Sequence, residues 1–411
     1  MIIAGNLLLI AVLLEVGTRF IYPWIRGGDF SWATLRDELR KPDSVEEFVI
    51  GDPAAGAPSV ILHPYIGFTF EPGSTLTTRD GSPLQYSRFG FFGEDPVFER
   101  APGEIIVAIG GGSVAGGLWH RGGDTLRATL QADPRFQGKT IRLQSFALGG
   151  FKQPQPLNTL VYLLALGAKF DVWIELDGFN EIALPLAENA PSGIPTDYPR
   201  DWRRLSRSGV SSSELGIRAE IYALRRDRER RRVLAAQSPW VFSAFIAACW
   251  DTADRRSAAR IAEMAASLAA TAPQSEAPNE NEVLHESVTV WKNASIQMAR
   301  LCAANGIAYY QFIQPNQYFP ATKTFSEEEQ RTALAKGGYQ PPAEKGYPLL
   351  VAAGEELREQ GVPVFDLTTI FRDEPRTIYR DSCCHLNELG NDLLARRIAE
   401  IIVTAPTAAS N

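Results

Sequence analysis

Residues 104–117 read EIIVAIGGGSVAGG, an apolar β-branched run that stops abruptly in glycines, with a single hydroxyl, Ser113, just beyond them. A buried parallel strand ending in a tight turn gives this pattern, and the loop after such a strand is where parallel sheets hold their ligands. Ser113 is therefore the candidate nucleophile, and a serine hydroxyl needs a base to take its proton. His385 is the late histidine of the chain, and Asp381 stands four residues before it.

Two other motifs overlap the same glycines. Gly110-x-Gly112-x-x-Ala115 fits the loose dinucleotide fingerprint, which needs a carboxylate at the end of the next strand, about 20 residues on. That strand, residues 140–148, ends in Gln144-Ser145-Phe146-Ala147 without an acid. Gly111-x-Ser113-x-Ala115 approaches the nucleophile elbow of α/β-hydrolases, whose carboxylate and histidine come from separate later loops. Here the two sit almost side by side, which points elsewhere.

For a serine at position 113 and a histidine at 385 to meet, the intervening elements must stack their ends on one edge. Leu126 and Leu130 mark a first crossover helix ending near Asp133-Pro134, and strand 140–148 runs into Gly149-Gly150. A helix over 157–166 leads to a strand over 170–176 that stops at Asp177-Gly178-Phe179-Asn180-Glu181. A helix over 288–304, strands over 307–313 and 362–367, and a final helix capped by Asn387 complete the series, the last with Leu389, Leu393, Ile398 and Ile402 as its buried stripe. Strands alternating with helices predict an α/β protein with a parallel five-stranded sheet and right-handed crossovers. The polar signatures then fall on the same edge.

At 411 residues and 45% hydrophobic the chain can bury a large core, with room for an accessory region. A net charge of -7 excludes a nucleic-acid partner, because phosphate neutralisation needs a basic face. Residues 2–14 carry no charge, and Phe20, Tyr22 and Trp24 extend the pattern past Glu15 and Arg19. That run is shorter than the about 20 residues of a span, but no small-x-small cleavage site follows it. The favoured reading is an uncleaved membrane anchor over residues 1–25, with the body extracytoplasmic, in the periplasm or at the cell surface; a cleaved signal peptide or a buried helix remains open. No Cys-x-x-Cys spacing occurs among four cysteines, so neither a metal cluster nor a cofactor is expected. Cys249 and Cys302 read as small buried apolar groups, and Cys383 and Cys384 as packed thiols rather than a strained vicinal disulfide.

Residues 26–100 read as a linker and accessory segment with a short helix near 32–39 and, further on, aromatics alternating with glycines in short strands and turns. Residues 101–405 form the main domain, interrupted by a helical insertion at about 182–282. Within it, residues 200–232 hold eleven arginines against five acids. Such a helix is usually a solvated face laced by pairs such as Arg225 with Glu229 and Asp227 with Arg231. The insertion is read as a lid beside the active edge.

Ser113, Gly150, Asn180 and His385 lie on the loops after strands one, two, three and the last, in the order Ser, Gly, Asn, His. In this the chain resembles the SGNH (GDSL) hydrolase family, through Gly110-Gly111-Gly112-Ser113, Ala147-Leu148-Gly149-Gly150, Gly178-Phe179-Asn180-Glu181 and Asp381-Ser382-Cys383-Cys384-His385. The resemblance covers about residues 87–402. It implies a flavodoxin-like three-layer α/β/α sandwich and a serine esterase or acylhydrolase with no cofactor. It also implies His385 as base, Asp381 as its orienting carboxylate, and an oxyanion hole from the Ser113 and Gly150 N–H groups and the Asn180 amide. Two positions depart from the family pattern: Gly112 replaces an aspartate, and Asp381 lies four residues before His385 where the family usually has three.

The expected substrate is an acyl ester of a carbohydrate or lipid, cleaved through an acyl-serine. Transfer of the acyl group to a surface polysaccharide, or a catalytically lapsed glycan-binding relative, are the alternatives the sequence leaves open.

Overall fold

The structure is a computed structural model and describes residues 2–27, 30–40, 60–77, 83–200, 202, 212–270 and 279–405. Helices α1 (Ile2–Arg26) and α2 (Trp32–Arg40) precede two antiparallel hairpins, β1 (Val60–His63) with β2 (Gly67–Phe70) and β3 (Thr75–Thr77) with β4 (Pro83–Gln85). Next come β5 (Glu104–Gly111), α3 (Ser113–Gln131), β6 (Thr140–Ser145), α4 (Gln155–Ala165), β7 (Val172–Asp177) and α5 (Phe179–Leu184). Two long helices, α6 (Ser212–Gln237) and α7 (Ala244–Ala270), interrupt the alternation. It resumes with α8 (Glu280–Ala304), β8 (Ala308–Ile313), α9 (Glu327–Ala333), α10 (Gln340–Glu359), β9 (Val364–Asp366) and α11 (Glu388–Thr404).

The chain divides into two compact units, Met1–Glu47 with Gly209–Gln274, and Phe48–Ser208 with Ser275–Asn411. In the larger unit the five strands β5 to β9 form one parallel sheet in the order β6-β5-β7-β8-β9. This is the flavodoxin-like order, with its topological switch between the first and third strands of the sheet. Because successive side chains of a strand point to opposite faces, the sheet builds two cores. Ile106, Ala108, Trp173 and Tyr309 face α4, α8 and α10, where Leu160, Trp291, Met298 and Tyr347 meet them. Val107, Ile109, Ile174 and Phe312 face α3 and α11, against Leu126, Leu130, Leu394 and Ile398. The result is the three-layer α/β/α sandwich expected from the alternation.

The aromatic segment before β5 behaves as read. Phe68, Tyr86, Phe91 and Phe92 are buried in the first of these cores. The stripe of α11 is rotated slightly from the expected one: Ile398 and Ile402 are buried, but Leu394 and Ala395 take the places given to Leu389 and Leu393, which are half-buried.

One feature of the sheet departs from apolar patterning. Every residue of β7 is buried, including Glu175 and Asp177. Glu175 accepts from the Trp173 indole N–H at 2.8 Å, and Asp177 accepts from the amides of Gln153 and Gln311 at 3.1 and 3.3 Å. Burial pushes Glu175 up to about 7, and burial together with the Glu175 charge raises Asp177 well above the ordinary carboxylate range. Burial and the Asp177 charge likewise push Glu181 up to about 8.

In the smaller unit, Leu35, Ala235, Val241 and Ala247 form a core, so the helices of the insertion pack with the N-terminal helices. The expected pair Asp227 with Arg231 forms at 3.4 Å, whereas Arg228 and Arg232 reach Asp254 on α7 at 2.8 and 3.2 Å. Cys249 is exposed on α7, contrary to the buried position expected for it, while Cys302 is buried. Residues 2–26 form a helix as the apolar run implies, but no described helix is long and apolar enough to cross a membrane. Glu15 interrupts the run, and its carboxylate accepts from Ser243 Oγ at 2.7 Å and from the Ala244 N–H at 2.8 Å, at the start of α7.

The folded protein keeps protons on its buried acids that the unfolded chain gives up near pH 4.5. Their contribution to stability is therefore complete at acid pH and is lost as pH rises through about 7 and then about 8. Thermal unfolding followed across this range is expected to show a falling melting temperature, and Glu175→Gln, which keeps the acceptor for Trp173, is expected to flatten the fall.

Candidate active site

Ser113 is the first residue of α3, directly after the glycines that end β5, so its hydroxyl stands at the carboxyl edge of the sheet. The loop after β6 brings Gly150 to the same edge, and the loop after β7 brings Asn180. His385 arrives from the segment before α11. Its Nε2 lies 2.8 Å from Ser113 Oγ, and its Nδ1 lies 2.6 Å from Asp381 Oδ2. With the ring proton on Nδ1, His385 donates to Asp381 and accepts from the serine hydroxyl. Ser113 and His385 are 8% and 7% exposed, enough for a small group to reach them and little enough to strengthen their mutual interaction.

The four-residue spacing between Asp381 and His385 works because of how the intervening turn is held. Asp381 Oδ1 accepts from the backbone N–H groups of Cys383, Cys384 and His385 at 3.0, 3.2 and 3.3 Å, winding 381–385 around one carboxylate oxygen. From outside, the loop after β8 grips the turn's carbonyls: Gln317 Nε2 donates to Asp381 O, Tyr318 Oη to Ser382 O and Asn316 Nδ2 to Cys383 O. Beneath it lies the buried pair Lys323 and Glu329, with Glu329 Oε1 accepting from the N–H groups of Ile378 and Tyr379. The turn is closed by Arg380 N donating to His385 O.

Electrostatics follow from these contacts. Burial raises the Asp381 carboxyl, but the His385 ring and the converging N–H groups outweigh it and hold the group below its usual range. Burial disfavours an imidazolium at His385, yet negative charge at Cys384 and Asp381 prevails and lifts the ring to about 9. Such a ring carries a proton on both nitrogens at neutral pH and accepts from the serine hydroxyl once deprotonated, above about pH 9.

The glycine at 112, where the family pattern has an aspartate, has a local cause. A Cβ on Gly112 would stand 2.2 Å from Asn180 Nδ2, so the amide occupies the space a side chain would fill. Asn180 Nδ2 donates one hydrogen to Phe151 O at 2.7 Å, which ties the start of α5, just after β7, to the loop after β6, with the amide packed on Gly112. Glu181 adds to this tie, its carboxyl accepting from the N–H groups of Gly178 at 2.7 Å and Gln153 at 3.3 Å. Gly150 has φ +80°, a left-handed conformation that favours glycine, and a Cβ there would meet Arg200 Cδ at 2.2 Å. Arg200 is itself held by Glu188, at 2.7 and 3.0 Å, and Glu188 also accepts from Tyr339 Oη.

All five sequence-derived site residues, Ser113, Gly150, Asn180, Asp381 and His385, thus lie at one edge of one unit. Two neighbours of the site are not legible in the sequence: Arg200 stands within an arginine run that reads as solvated, and Glu181 reads only as the end of a polar signature. Cys384 lies beside the active loop, as expected of a packed thiol there, buried with its sulfur within 4.8 Å of a His385 ring nitrogen.

No family model and no curated protein sequence matches the chain. Among solved structures it is similar to the acetyl xylan esterase AlAXEase, at 12% identity and a TM-score of 0.33 over 72% of this chain and 100% of that one. It is also similar to a protein of Bacteroides fragilis NCTC 9343 named as an acylhydrolase, at 9% identity and a TM-score of 0.31 over 75% of this chain and 91% of that one. The geometry above owes nothing to either likeness.

Gly112→Ala tests the packing of the amide on the glycine. It is expected to cost about 1–3 kcal/mol in urea unfolding, the range for forcing an extra carbon into a filled space, and to shift the side-chain amide NMR signals of Asn180.

Proposed function

We infer that the protein is a serine ester hydrolase of the SGNH type, working through an acyl-serine intermediate. The observation that carries this reading is the unbroken line from Ser113 Oγ through His385 to Asp381, at 2.8 and 2.6 Å. His385 Nε2 removes the hydroxyl proton as Ser113 Oγ attacks the ester carbonyl, and the imidazolium that forms is held in orientation by Asp381. Negative charge on the former carbonyl oxygen meets the backbone N–H groups of Ser113 and Gly150 and the second Asn180 hydrogen. His385 returns its proton to the departing alcohol, and water then attacks the acyl-serine by the same route in reverse.

The acyl group we propose is acetyl or another small acyl, carried on a carbohydrate or a lipid. Of the two solved structures reported above, one is named as an acetyl xylan esterase and the other as an acylhydrolase. The reading as a lapsed relative rested on the four-residue spacing and on Gly112. Asp381 reaches His385 across that spacing, and Gly112 makes room for Asn180, which supports the active reading. We further propose that α1 attaches the protein to a membrane and that the body lies outside the cytoplasm. Supporting the attachment are the side chains of Leu13, Phe20 and Trp24, 62%, 77% and 85% exposed.

Turnover of a chromogenic acetate ester gives the test. Ser113→Ala is expected to lower kcat by about 10⁴-fold or more with the circular dichroism spectrum unchanged. Asp381→Asn is expected to cost up to about 10⁴-fold and Asn180→Ala about 10²- to 10³-fold. Undiminished turnover by the serine variant would overturn the mechanism.

A further inference from the structure

The turn that carries the base also carries two thiols, and the three groups converge. The Cys383 and Cys384 sulfurs are 3.6 Å apart, and with a ring nitrogen of His385 they form a set whose ligand atoms all lie within 4.8 Å of one another. From this geometry we propose that Cys383, Cys384 and His385 bind a thiophilic divalent cation of the zinc class, and that the bound ion switches off the site by taking the His385 nitrogen that faces Ser113.

Several observations point the same way. Two thiolates each about 2.3 Å from a tetrahedral zinc stand about 3.8 Å apart, close to the separation found here. A sulfur and an imidazole nitrogen on the same ion are about 3.6 Å apart, so the ligand atoms need close in by no more than about 1 Å. Metal-bound histidines typically give their second ring nitrogen to a carboxylate, which fixes the ring and raises its basicity. Asp381 Oδ2 at 2.6 Å from Nδ1 does this and leaves Nε2 as the ligating atom. The Cys384 sulfur, buried like the His385 ring, lies on the same turn within 4.8 Å of the ring nitrogen, so the two face one space. Cys383 is half-buried and gives the ion a way in, while Asp381 Oδ1 already holds the backbone of all three ligand residues.

Binding releases to solvent the protons carried by the two sulfurs and by His385 Nε2 and leaves a neutral zinc dithiolate, so charge balances without an oxidant or a further ligand anion. The arrangement that readies an imidazole to accept a proton from serine is also the one that readies it for a metal ion. The inhibitory effect rests on the esterase reading; the binding does not.

Co²⁺ alone serves as the probe, because thiolate ligation gives it a near-ultraviolet charge-transfer band. The full chain is expected to develop that band at one ion per chain, and Zn²⁺ to abolish it by displacement. Cys249→Ser should leave the band unchanged. Cys383→Ser should lose it while turning over the acetate ester as before in metal-free buffer. Micromolar Zn²⁺ should lower wild-type turnover at least tenfold, reversibly with a chelator, and leave Cys383→Ser within twofold of its own metal-free rate. Absence of the band, or its survival in Cys383→Ser, overturns the site. A normal band in a protein without ester turnover would instead sustain the metal site and reject the esterase reading.

Discussion

The Asp381 carboxylate is the constraint on which the site depends, because its two oxygens act on different scales. One gathers three consecutive backbone N–H groups and so sets the shape of the turn. The other meets a single ring nitrogen and so sets the direction of an imidazole. Charge-assisted bonds of this kind are stronger than neutral ones, and here one anion builds the loop and aims what the loop carries. The burial that would ordinarily penalise the anion is offset by the number of donors around it. Asn316, Gln317 and Tyr318 complete the structure from outside, so the loop after β8 shapes the site without lying in the line from Ser113 to Asp381.

Opposite this turn, the loops after β6 and β7 are tied by a second polar layer. Asn180 bonds Phe151, and Glu181 bonds both Gly178 and Gln153. Beneath them the buried acids of β7 keep their own partners in Trp173, Gln153 and Gln311. Hydrogen bonds in a dry interior are stronger than in water, and those from Asn180 and Glu181 join the segments that carry Gly150 and Asn180. The protein thus holds its proposed oxyanion donors by a hydrogen-bonded core and its proposed base by a capped turn.

The parts of this arrangement that were legible in the sequence are those fixed by local chemistry. The β5 run and its glycines announce a strand and a tight turn, and Asn387 marks the start of α11, where its side chain accepts from Gly390 N. Alternating strands and helices were enough to give the sheet and its layers. What stayed hidden depends on contacts between distant segments. The reach of Asp381 follows from the grip of residues 316–318, which spacing alone does not contain. Cys249 was misread because a thiol suits either face of a helix, and α7 buries Ala247 and Ala248 instead. The joining of residues 1–47 with 209–274 is set by packing across some two hundred residues of chain. The arginine run conceals that Arg200 faces Gly150, because composition records a charge and not its neighbour.

That last contact separates two kinds of heredity within the site. Ser113 and Asn180 stand just after strand ends, and Asp381 and His385 stand on the turn before α11. The aliphatic stem of Arg200, pinned by Glu188, covers Gly150 from a segment outside the sheet altogether. A rim supplied from there can be rewritten, lengthened or exchanged without disturbing the sheet beneath it.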